Sequence, residues 1–240
     1  MQQAPAHPAP ADPAAEHWQR YEAAAQPRPW AATAPIRMPD GRWLWLPLRD
    51  YGEIAVTGFI ANQASFTVLR PIVGWMAEAV RDWGADIVVG LPTLGHVFGG
   101  PLAEALGHAN WVAPGYSRKN WYEETWSVPT SSSTAPDARR MWLDPRLLAR
   151  LRGKRVLLVD DVISTGSSAL AGLALLGTAG VRPVGLCVGM AQGDRWLPTW
   201  PTDVPVAAAF ATPLFRRAAD GWAPDEATRP EVRLPVQESV

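Results

Sequence analysis

The chain has 240 residues, enough for one substantial domain or two small ones, and its apolar content of 48% is typical of a globular protein. Its 22 basic and 23 acidic residues give a formal net charge of −1. No overall field therefore attracts nucleic acid or a membrane surface, and an anionic ligand must be bound by a local cluster of donors.

The single cysteine, Cys187, excludes a disulfide bond within the chain and fits a reducing compartment. The N-terminal sequence MQQAPAHPAP lacks the basic and apolar regions of a secretory signal, and no apolar run is long enough to span a bilayer. We therefore expect a soluble, cytoplasmic protein with no nucleic acid or membrane among its partners.

Composition divides the chain into three parts. Residues 1–35 are rich in Ala and Pro and cannot bury enough surface to offset the entropy of ordering, so we expect a mobile extension. Residues 36–215 carry the alternating apolar runs of a folded domain. Residues 216–240 have scattered charge and proline with little periodicity, which predicts a trailing C-terminal arm.

Within the central part, runs of strand length alternate with longer runs of helical character. Taken along the chain, these predict a helix at 65–83, strands at 86–90 and 111–114, a helix at 99–106, strands at 155–160 and 184–190, and a helix at 167–179. The alternation predicts an α/β fold with a central, mainly parallel sheet flanked by helices. Ligands of such sheets bind at the carboxyl ends of the strands, which here directs attention to the loops after Gly90 and Asp160.

The stretch VLLVDDVISTGSS, residues 156–168, combines two features that an ordinary turn does not need. An apolar strand runs into two adjacent carboxylates, Asp160 and Asp161, and a loop of small and hydroxylated residues then leads into a helix. The unpaired amides of a helix N-terminus bind a phosphate group well. The residues that would form such a cradle are Ser164, Thr165, Gly166, Ser167 and Ser168.

The two carboxylates would repel a phosphate that they faced, so they must contact hydroxyl groups instead. A sugar phosphate explains both halves of the stretch. The P-loop and dinucleotide-binding patterns are absent. A response-regulator receiver domain also has paired acids after a strand, but it needs a later aspartate and lysine that this chain does not offer; an ordinary polar turn is the remaining alternative.

This stretch resembles the phosphoribosyl-pyrophosphate motif of type I phosphoribosyltransferases. GLPTLGHVFGGPLAEALG (90–107) is similar to the pyrophosphate loop and following helix of the adenine-type members, and YSRKNWYEETWSVPTSSST (116–134) to their basic catalytic loop. IRMPDGRWLWLPLRD (36–50) is similar to the hood of the adenine and xanthine branches. The resemblance implies a phosphoribosyltransferase fold with a small hood, and the transfer of a phosphoribosyl group to a nucleobase, for which a purine is expected.

The resemblance also implies roles for individual residues. Asp160 and Asp161 would accept hydrogen bonds from the ribose hydroxyls, and residues 164–168 would hold the 5′-phosphate. The backbone of Pro92, Thr93 and Leu94 would meet the pyrophosphate, with Leu91–Pro92 able to adopt a cis bond. The catalytic loop at 116–134 would act as a lid over the site. In it, Arg118 and Lys119 would neutralise the leaving pyrophosphate, and Glu123 or Glu124 would assist proton removal from the base. Mg²⁺ would be held mainly by the substrate.

The sequence departs from the adenine pattern where the pyrophosphate loop reads LPTLG, without the usual acid and arginine. The missing arginine is a cation near the pyrophosphate, and His96 would replace it only in part. The candidates for the base pocket are Met38, Arg42, Trp43 and Met190. These departures leave the accepted base open, including a non-purine acceptor. A non-catalytic protein that binds phosphoribosyl pyrophosphate is the alternative function, and the resemblance implies a homodimer.

Overall fold

The computed structural model describes residues 16–132 and 135–236, with the side chains of 131–138 left aside. Its strands are β1 (Thr33–Arg37), β2 (Trp43–Asp50), β3 (Ile54–Thr57), β4 (Ile87–Gly90), β5 (Ser127–Ser132), β6 (Ala135–Trp142), β7 (Val156–Ile163), β8 (Pro183–Gln192), β9 (Val206–Thr212), β10 (Leu214–Ala218) and β11 (Gly221–Asp225). Its α-helices are α1 (Phe66–Val80), α2 (Gly95–Ala105), α3 (Leu148–Leu151) and α4 (Ser167–Thr178).

The centre of the fold is a four-stranded parallel sheet in the order β4-β7-β8-β9. Both of its faces are buried: Leu157 and Val159 of β7 belong to one apolar cluster, while Val156 and Leu158 belong to the other. Such two-sided burial explains why the strand reads as a continuous apolar run. The predicted α/β fold with a central, mainly parallel sheet is confirmed.

Helix α1 follows the prediction closely. The Ser65 side chain accepts a hydrogen bond from the Val68 amide, which caps the N-terminus, and a short 3₁₀ turn continues the helix to Trp83. Ile72 and Met76 lie one turn apart on its buried face, both without solvent exposure. The helical spacing of apolar residues was therefore sufficient to predict this helix.

Helix α2 begins four residues earlier than the prediction of 99–106. Gly99 and Gly100 resemble a helix start in the sequence, but they lie inside the helix against the indole of Trp111. A Cβ atom at Gly99 would lie 2.7 Å from that ring, so glycine is required for close packing. The predicted strand at 111–114 is reduced to an isolated parallel bridge between Val112 and Val89.

A five-stranded antiparallel sheet, β1-β2-β3-β10-β11, forms the hood. The prediction of a trailing arm from residue 216 is wrong for the part that the structure describes, because β10 pairs with β3 through the register Phe215–Ala55 and then with β11. The expected extension at 1–35 is also shorter: Trp18 is buried, and its indole N–H donates to the Gly58 carbonyl at 3.0 Å. Residues 1–15 and 237–240 lie outside the described part.

Strands β5 and β6 pair as an antiparallel hairpin that stands apart from both sheets. Strand β5 lies within the segment 116–134 that resembles the catalytic loop, or lid, of the family, and β6 follows that segment and ends at Trp142. No helix in the described ranges is long and apolar enough to cross a membrane.

Candidate functional site

A cavity of about 470 Å³ lies between the hood and the carboxyl ends of the parallel strands. Its walls come from the ends of β7 and β8, the turn after β4, the hood strand β3 with the residues that follow it, and the lid hairpin. The position agrees with the general rule for open α/β sheets, in which ligands bind beyond the carboxyl ends of the strands.

Asp160 and Asp161 both line this cavity, but their environments differ. Asp160 is 4% exposed and its Oδ1 accepts from the Asp161 amide at 2.9 Å, whereas the Asp161 side chain is half-buried. The sequence predicted a strand that ends at Asp160; β7 instead continues through both acids to Ile163. Its neighbour β8 extends equally far, so the pairing persists beyond the acids.

Burial changes the acidity of this pair. Desolvation, followed by the adjacent Asp161 charge, raises the pKa of Asp160 well above its usual value. Desolvation also raises the pKa of Asp161, to about 6, although hydrogen bonds from Asp160 and the backbone oppose the shift. Two acids that resist ionisation in the unliganded protein are suited to a ligand that brings hydrogen-bond donors or positive charge.

The loop between β7 and α4 forms the predicted cradle. Ser164, Thr165 and Ser168 line the main cavity, and a hollow of about 50 Å³ lies within the loop, bounded by residues 162–169. Gly166 precedes the helix with a left-handed φ of +82°, which favours glycine. The Leu170 amide bonds to the Gly166 carbonyl, which leaves the earlier amides of α4 without intrahelical partners.

The turn after β4 supplies Pro92, Thr93 and Leu94 to the cavity, as the sequence predicted. The cis bond lies between Pro92 and Thr93 and not between Leu91 and Pro92, where we had considered it. Gly95 follows at the start of α2, and a Cβ atom there would lie 2.8 Å from Asp160 Oδ1. The glycine therefore allows this turn and the acidic pair to share one wall of the cavity.

The predicted lid residues are not brought to the cavity. Arg118 pairs with Glu124 at 3.0 Å, and Glu124 also lies 3.4 Å from Arg140. Glu123 and Lys119 are exposed and, with Arg118 and Glu124, do not line the described cavity wall.

The lid contributes a different set of side chains. Tyr116, Thr130 and Arg139 line the cavity, and Thr130 and Arg139 lie opposite each other in the hairpin. The Tyr116 hydroxyl donates to the Pro92 carbonyl at 3.2 Å, which joins the lid to the turn after β4. Burial, with the nearby charge of Asp160, raises the pKa of Tyr116. The pairing register of a hairpin determines which of its side chains face the cavity. The sequence did not reveal that register, so the lining residues of the hairpin could not be predicted.

Three of the four candidates for the base pocket lie elsewhere. Met38 is a core residue, 2% exposed, and Arg42 pairs with Asp40 at 2.5 Å while its guanidinium covers the Tyr21 ring. Trp43 lines a separate cavity of about 440 Å³.

Met190 alone among those four lines the main cavity. The hood wall is formed instead by residues 56–60, together with Arg49 and Tyr51 at the end of β2. The hood strand that contributes most to the site is therefore β3, which lies at the centre of its sheet, whereas the matched segment 36–50 contributes Arg49.

A polar network that the sequence analysis missed connects the hood to the phosphate loop. Gln192, 4% exposed, donates from Nε2 to the Thr57 carbonyl and accepts from the Ser164 hydroxyl at 2.7 Å. The Thr57 hydroxyl lies 3.0 Å from that of Thr212. Arg195 Nη2 donates to Ser164 at 2.7 Å. One sign of this network is visible in the sequence: the polar residue Gln192 stands at the end of a strand of otherwise small and apolar residues.

His96 does not serve as a substitute cation at the cavity. Its Nε2 lies 2.9 Å from the Pro114 carbonyl, its ring packs edge-on against Trp111, and burial lowers its pKa. In the described ranges no group of three or more His, Cys, Asp or Glu side chains could hold a metal ion.

Comparison with known proteins gives a consistent result. The family model described as "Phosphoribosyl transferase domain" matches residues 61–208. The adenine phosphoribosyltransferase of Frankia alni is 30% identical over 139 residues, which cover 55% of this chain and 66% of that protein, slightly under two-thirds. The adenine phosphoribosyltransferase of Streptomyces avermitilis is 31% identical over 157 residues, 61% of this chain and 78% of its own length.

Among solved structures, adenine phosphoribosyltransferase from Saccharomyces cerevisiae, complexed with an imino-altritol bisphosphate and adenine, superposes with a TM-score of 0.51. The two chains are 20% identical, and the match covers 68% of this chain and 93% of the yeast chain. At that identity the likeness shows the fold alone.

Proposed function

Because the chain belongs to the type I phosphoribosyltransferase family, on its purine branch, we propose that it transfers the 5-phosphoribosyl group of phosphoribosyl pyrophosphate to a purine base and releases pyrophosphate. One observation carries the proposal. The acidic pair, the phosphate loop and the turn after β4 all line a single cavity of about 470 Å³. Each is suited to a different part of that one substrate.

The sugar phosphate would lie along the end of β7. Asp160 and Asp161 would accept hydrogen bonds from the ribose hydroxyls, and the free amides of α4 with the Thr165 and Ser168 hydroxyls would donate to the 5′-phosphate. Hydrogen bonds that involve a charged group contribute about 1.5–3 kcal/mol each, so the loss of one such contact should weaken binding by about tenfold or more. Holding the ribose at both ends would fix its anomeric carbon for attack.

The leaving pyrophosphate would meet the backbone of Pro92, Thr93 and Leu94. The pyrophosphate loop lacks the arginine of adenine-type members, and Arg139 of the lid hairpin lines the same cavity. We assign to Arg139 the neutralising role that the sequence gave to Arg118 and Lys119. A guanidinium placed here would stabilise the charge that develops as the bond to the anomeric carbon breaks.

The acids of the cavity fit a substrate-borne Mg²⁺. Asp160 and Asp161 are the carboxylates of its described wall, too few to enclose the ion, and Mg²⁺ commonly takes its remaining ligands from substrate oxygens and water. These two residues would face the ion from the ribose side. When bound, Mg²⁺ would spread the negative charge of the leaving group.

The acceptor base would lie against the hood wall formed by residues 56–60 and against Met190. Phe59 offers a flat apolar surface whose position is fixed by stacking on Phe98, with ring centroids 6.3 Å apart. Glu123 and Glu124 stay candidates for proton removal from the base only if the lid moves toward the hood. Closure of that kind would also exclude water from the activated sugar.

The test is pyrophosphate release from phosphoribosyl pyrophosphate and Mg²⁺ across a panel of purine and pyrimidine bases. Release with adenine or another purine supports the proposal, and release with pyrimidines alone would contradict the purine assignment.

The alternative is a regulatory protein that binds phosphoribosyl pyrophosphate without turnover. It is favoured by one observation: Arg118, Lys119, Glu123 and Glu124 lie away from the cavity. Binding of phosphoribosyl pyrophosphate with no release for any base would select this alternative.

We place the activity in the cytoplasm, since the chain's single thiol is suited to a reducing environment. Cys187 is buried, and its burial raises the thiol pKa, so it takes no part in the chemistry. The homodimer implied by the family stays a prediction, which sedimentation at micromolar concentration would test.

A further inference from the structure

Ser164 was expected, with the other residues of the phosphate loop, to hold the 5′-phosphate. In the structure its hydroxyl hydrogen is already used in a hydrogen bond to another residue, Gln192. The hydroxyl donates to Gln192 Oε1 at 2.7 Å and accepts from Arg195 Nη2 at 2.7 Å. A hydroxyl has a single hydrogen to donate. Ser164 therefore faces the ligand as the support of a guanidinium and not as a donor in its own right.

Gln192 fixes the direction of this arrangement. Its side chain is buried, its amide nitrogen donates to the Thr57 carbonyl of β3, and its oxygen is thereby left to accept from Ser164. Reversing the amide would place two acceptors against each other at Thr57, a costly arrangement in a buried site. The hydrogen bonds thus run in one direction, from Arg195 through Ser164 and Gln192 to the hood.

The turn that carries Arg195 is itself anchored. The next residue, Trp196, is 2% exposed, and its indole N–H donates to the Gly193 carbonyl at 2.9 Å. A Cβ atom at Gly166 would lie 3.2 Å from Trp196 Cβ, so this turn packs directly on the phosphate loop. Arg195 is consequently held beside the loop although its own side chain reaches solvent.

The guanidinium has donors to spare. Arg195 lines the same cavity as Thr165 and Ser168, and no carboxylate of the described residues lies within ion-pair distance of it. A guanidinium has five N–H groups in a planar fork that matches a phosphoryl group. Arg195 lies beside the phosphate loop and donates one hydrogen bond, to Ser164. Its other N–H groups are therefore available to a ligand.

We propose that Arg195 is an additional binding residue for the terminal phosphoryl group of the substrate, and that Ser164 and Gln192 are positioning residues that hold it there. The proposal rests on the proposed function and deepens it. The ligand class is a sugar phosphate monoester, bound by the α4 amides on one side and by a guanidinium from the β8–β9 connection on the other.

The test measures binding of ribose 5-phosphate and, separately, of pyrophosphate with Mg²⁺, by isothermal titration of the full chain. Arg195→Ala should weaken ribose 5-phosphate binding about tenfold, the lower limit for one charge-assisted hydrogen bond at a partly exposed site, and should leave pyrophosphate binding unchanged. Arg195→Lys should restore part of the loss. Arg182→Ala, which removes an exposed arginine paired with Asp203, is the matched control.

A double-mutant cycle separates the role of Ser164 from direct phosphate binding. If Ser164 acts through Arg195, then Ser164→Ala should weaken binding in the unaltered protein but should add little in the Arg195→Ala background. Additive losses would show that Ser164 contacts the phosphate itself and would overturn its positioning role.

The outcomes distinguish this inference from the proposed function. Equal ribose 5-phosphate affinity for Arg195→Ala and the unaltered protein would overturn the inference and leave the transferase proposal standing. An equal loss for pyrophosphate would also overturn it, because Arg195 would then serve the other end of the cavity. Normal ribose 5-phosphate binding by the unaltered protein, with no pyrophosphate released from phosphoribosyl pyrophosphate in the presence of any base, would overturn the transferase activity and leave the role of Arg195 intact.

Discussion

Replacing Asp161 with asparagine should stabilise the unliganded protein at neutral pH while weakening its binding of a sugar phosphate. Burial raises the pKa of Asp161 from its usual 3.8 to about 6, so ionisation of this group opposes folding. The folded protein binds more protons than the unfolded chain between these two values. The contribution of Asp161 to stability therefore falls as the pH rises from about 4 to about 6, and the deficit persists above pH 6.

The size of the effect follows from the shift. About two pKa units at 1.36 kcal/mol each set an upper limit of about 3 kcal/mol, and solvent access to the half-buried side chain reduces it to about 1–3 kcal/mol. For a chain of this length each kcal/mol raises the melting temperature by about 2–4 °C. The asparagine variant should therefore melt several degrees higher than the unaltered protein at pH 8, and the difference should disappear near pH 4.

Melting curves recorded at half-unit steps from about pH 4 to about pH 8 would measure this difference, and titration with ribose 5-phosphate at about pH 8 would measure binding. Asp220→Asn removes an exposed charge in the β10–β11 turn and serves as the control for net charge. A stability gain that does not vary with pH, or no gain at pH 8, would refute the argument from burial. Unchanged sugar-phosphate affinity would refute the assignment of Asp161 to the ribose.

Three further results are expected. Gly166→Ala should lower the free energy of unfolding by about 1–3 kcal/mol in urea denaturation, because φ is +82° and the new Cβ would press on Trp196; an unchanged midpoint would contradict the packing. Alanine at both Glu123 and Glu124 should lower turnover with a stability change under about 1 kcal/mol, since both side chains are exposed, and intact turnover would end their candidacy as proton acceptors. Gln192→Leu should cost about 1–3 kcal/mol in thermal melting by leaving the polar groups of its neighbours unpaired, and a variant as stable as the parent would show that water replaces the amide.

The parallel sheet and the phosphate loop could be predicted because their signals are local. Strands buried on both faces read as uninterrupted apolar runs, and the residues at 160–168 combine acids, hydroxyls and glycine in an order that a single short loop requires. Local chemistry of this kind does not depend on how distant segments pair. The strand ending at Gly90 likewise directed attention to the loop after it, and the family resemblance then implied Pro92, Thr93 and Leu94 as residues of that loop.

The hood and the lid could not be predicted residue by residue, because pairing between distant segments decides which side chains face the cavity. Strand β10 reads Leu-Phe-Arg-Arg-Ala, with its last three residues exposed, and an exposed end of that kind resembles an unstructured arm in the sequence. Similarly, Arg118 and Arg139 are equally plausible cations by composition. The register of the hairpin places Arg139 opposite Thr130 at the cavity, whereas Arg118, which precedes the hairpin, pairs with Glu124.

The pairing of β3 with β10 has a consequence for biosynthesis. Ala55 contacts Phe215, so the sheet that covers the cavity combines early and late segments of the chain. During translation the parallel core can assemble while the hood still lacks two strands, and the apolar surface that packs against Phe215 and Trp222, including the Trp30 ring, would stay open to solvent or chaperones until they emerge. The sheet that contains β3, the hood strand beside the cavity, is therefore completed only after residues 214–225 have left the ribosome.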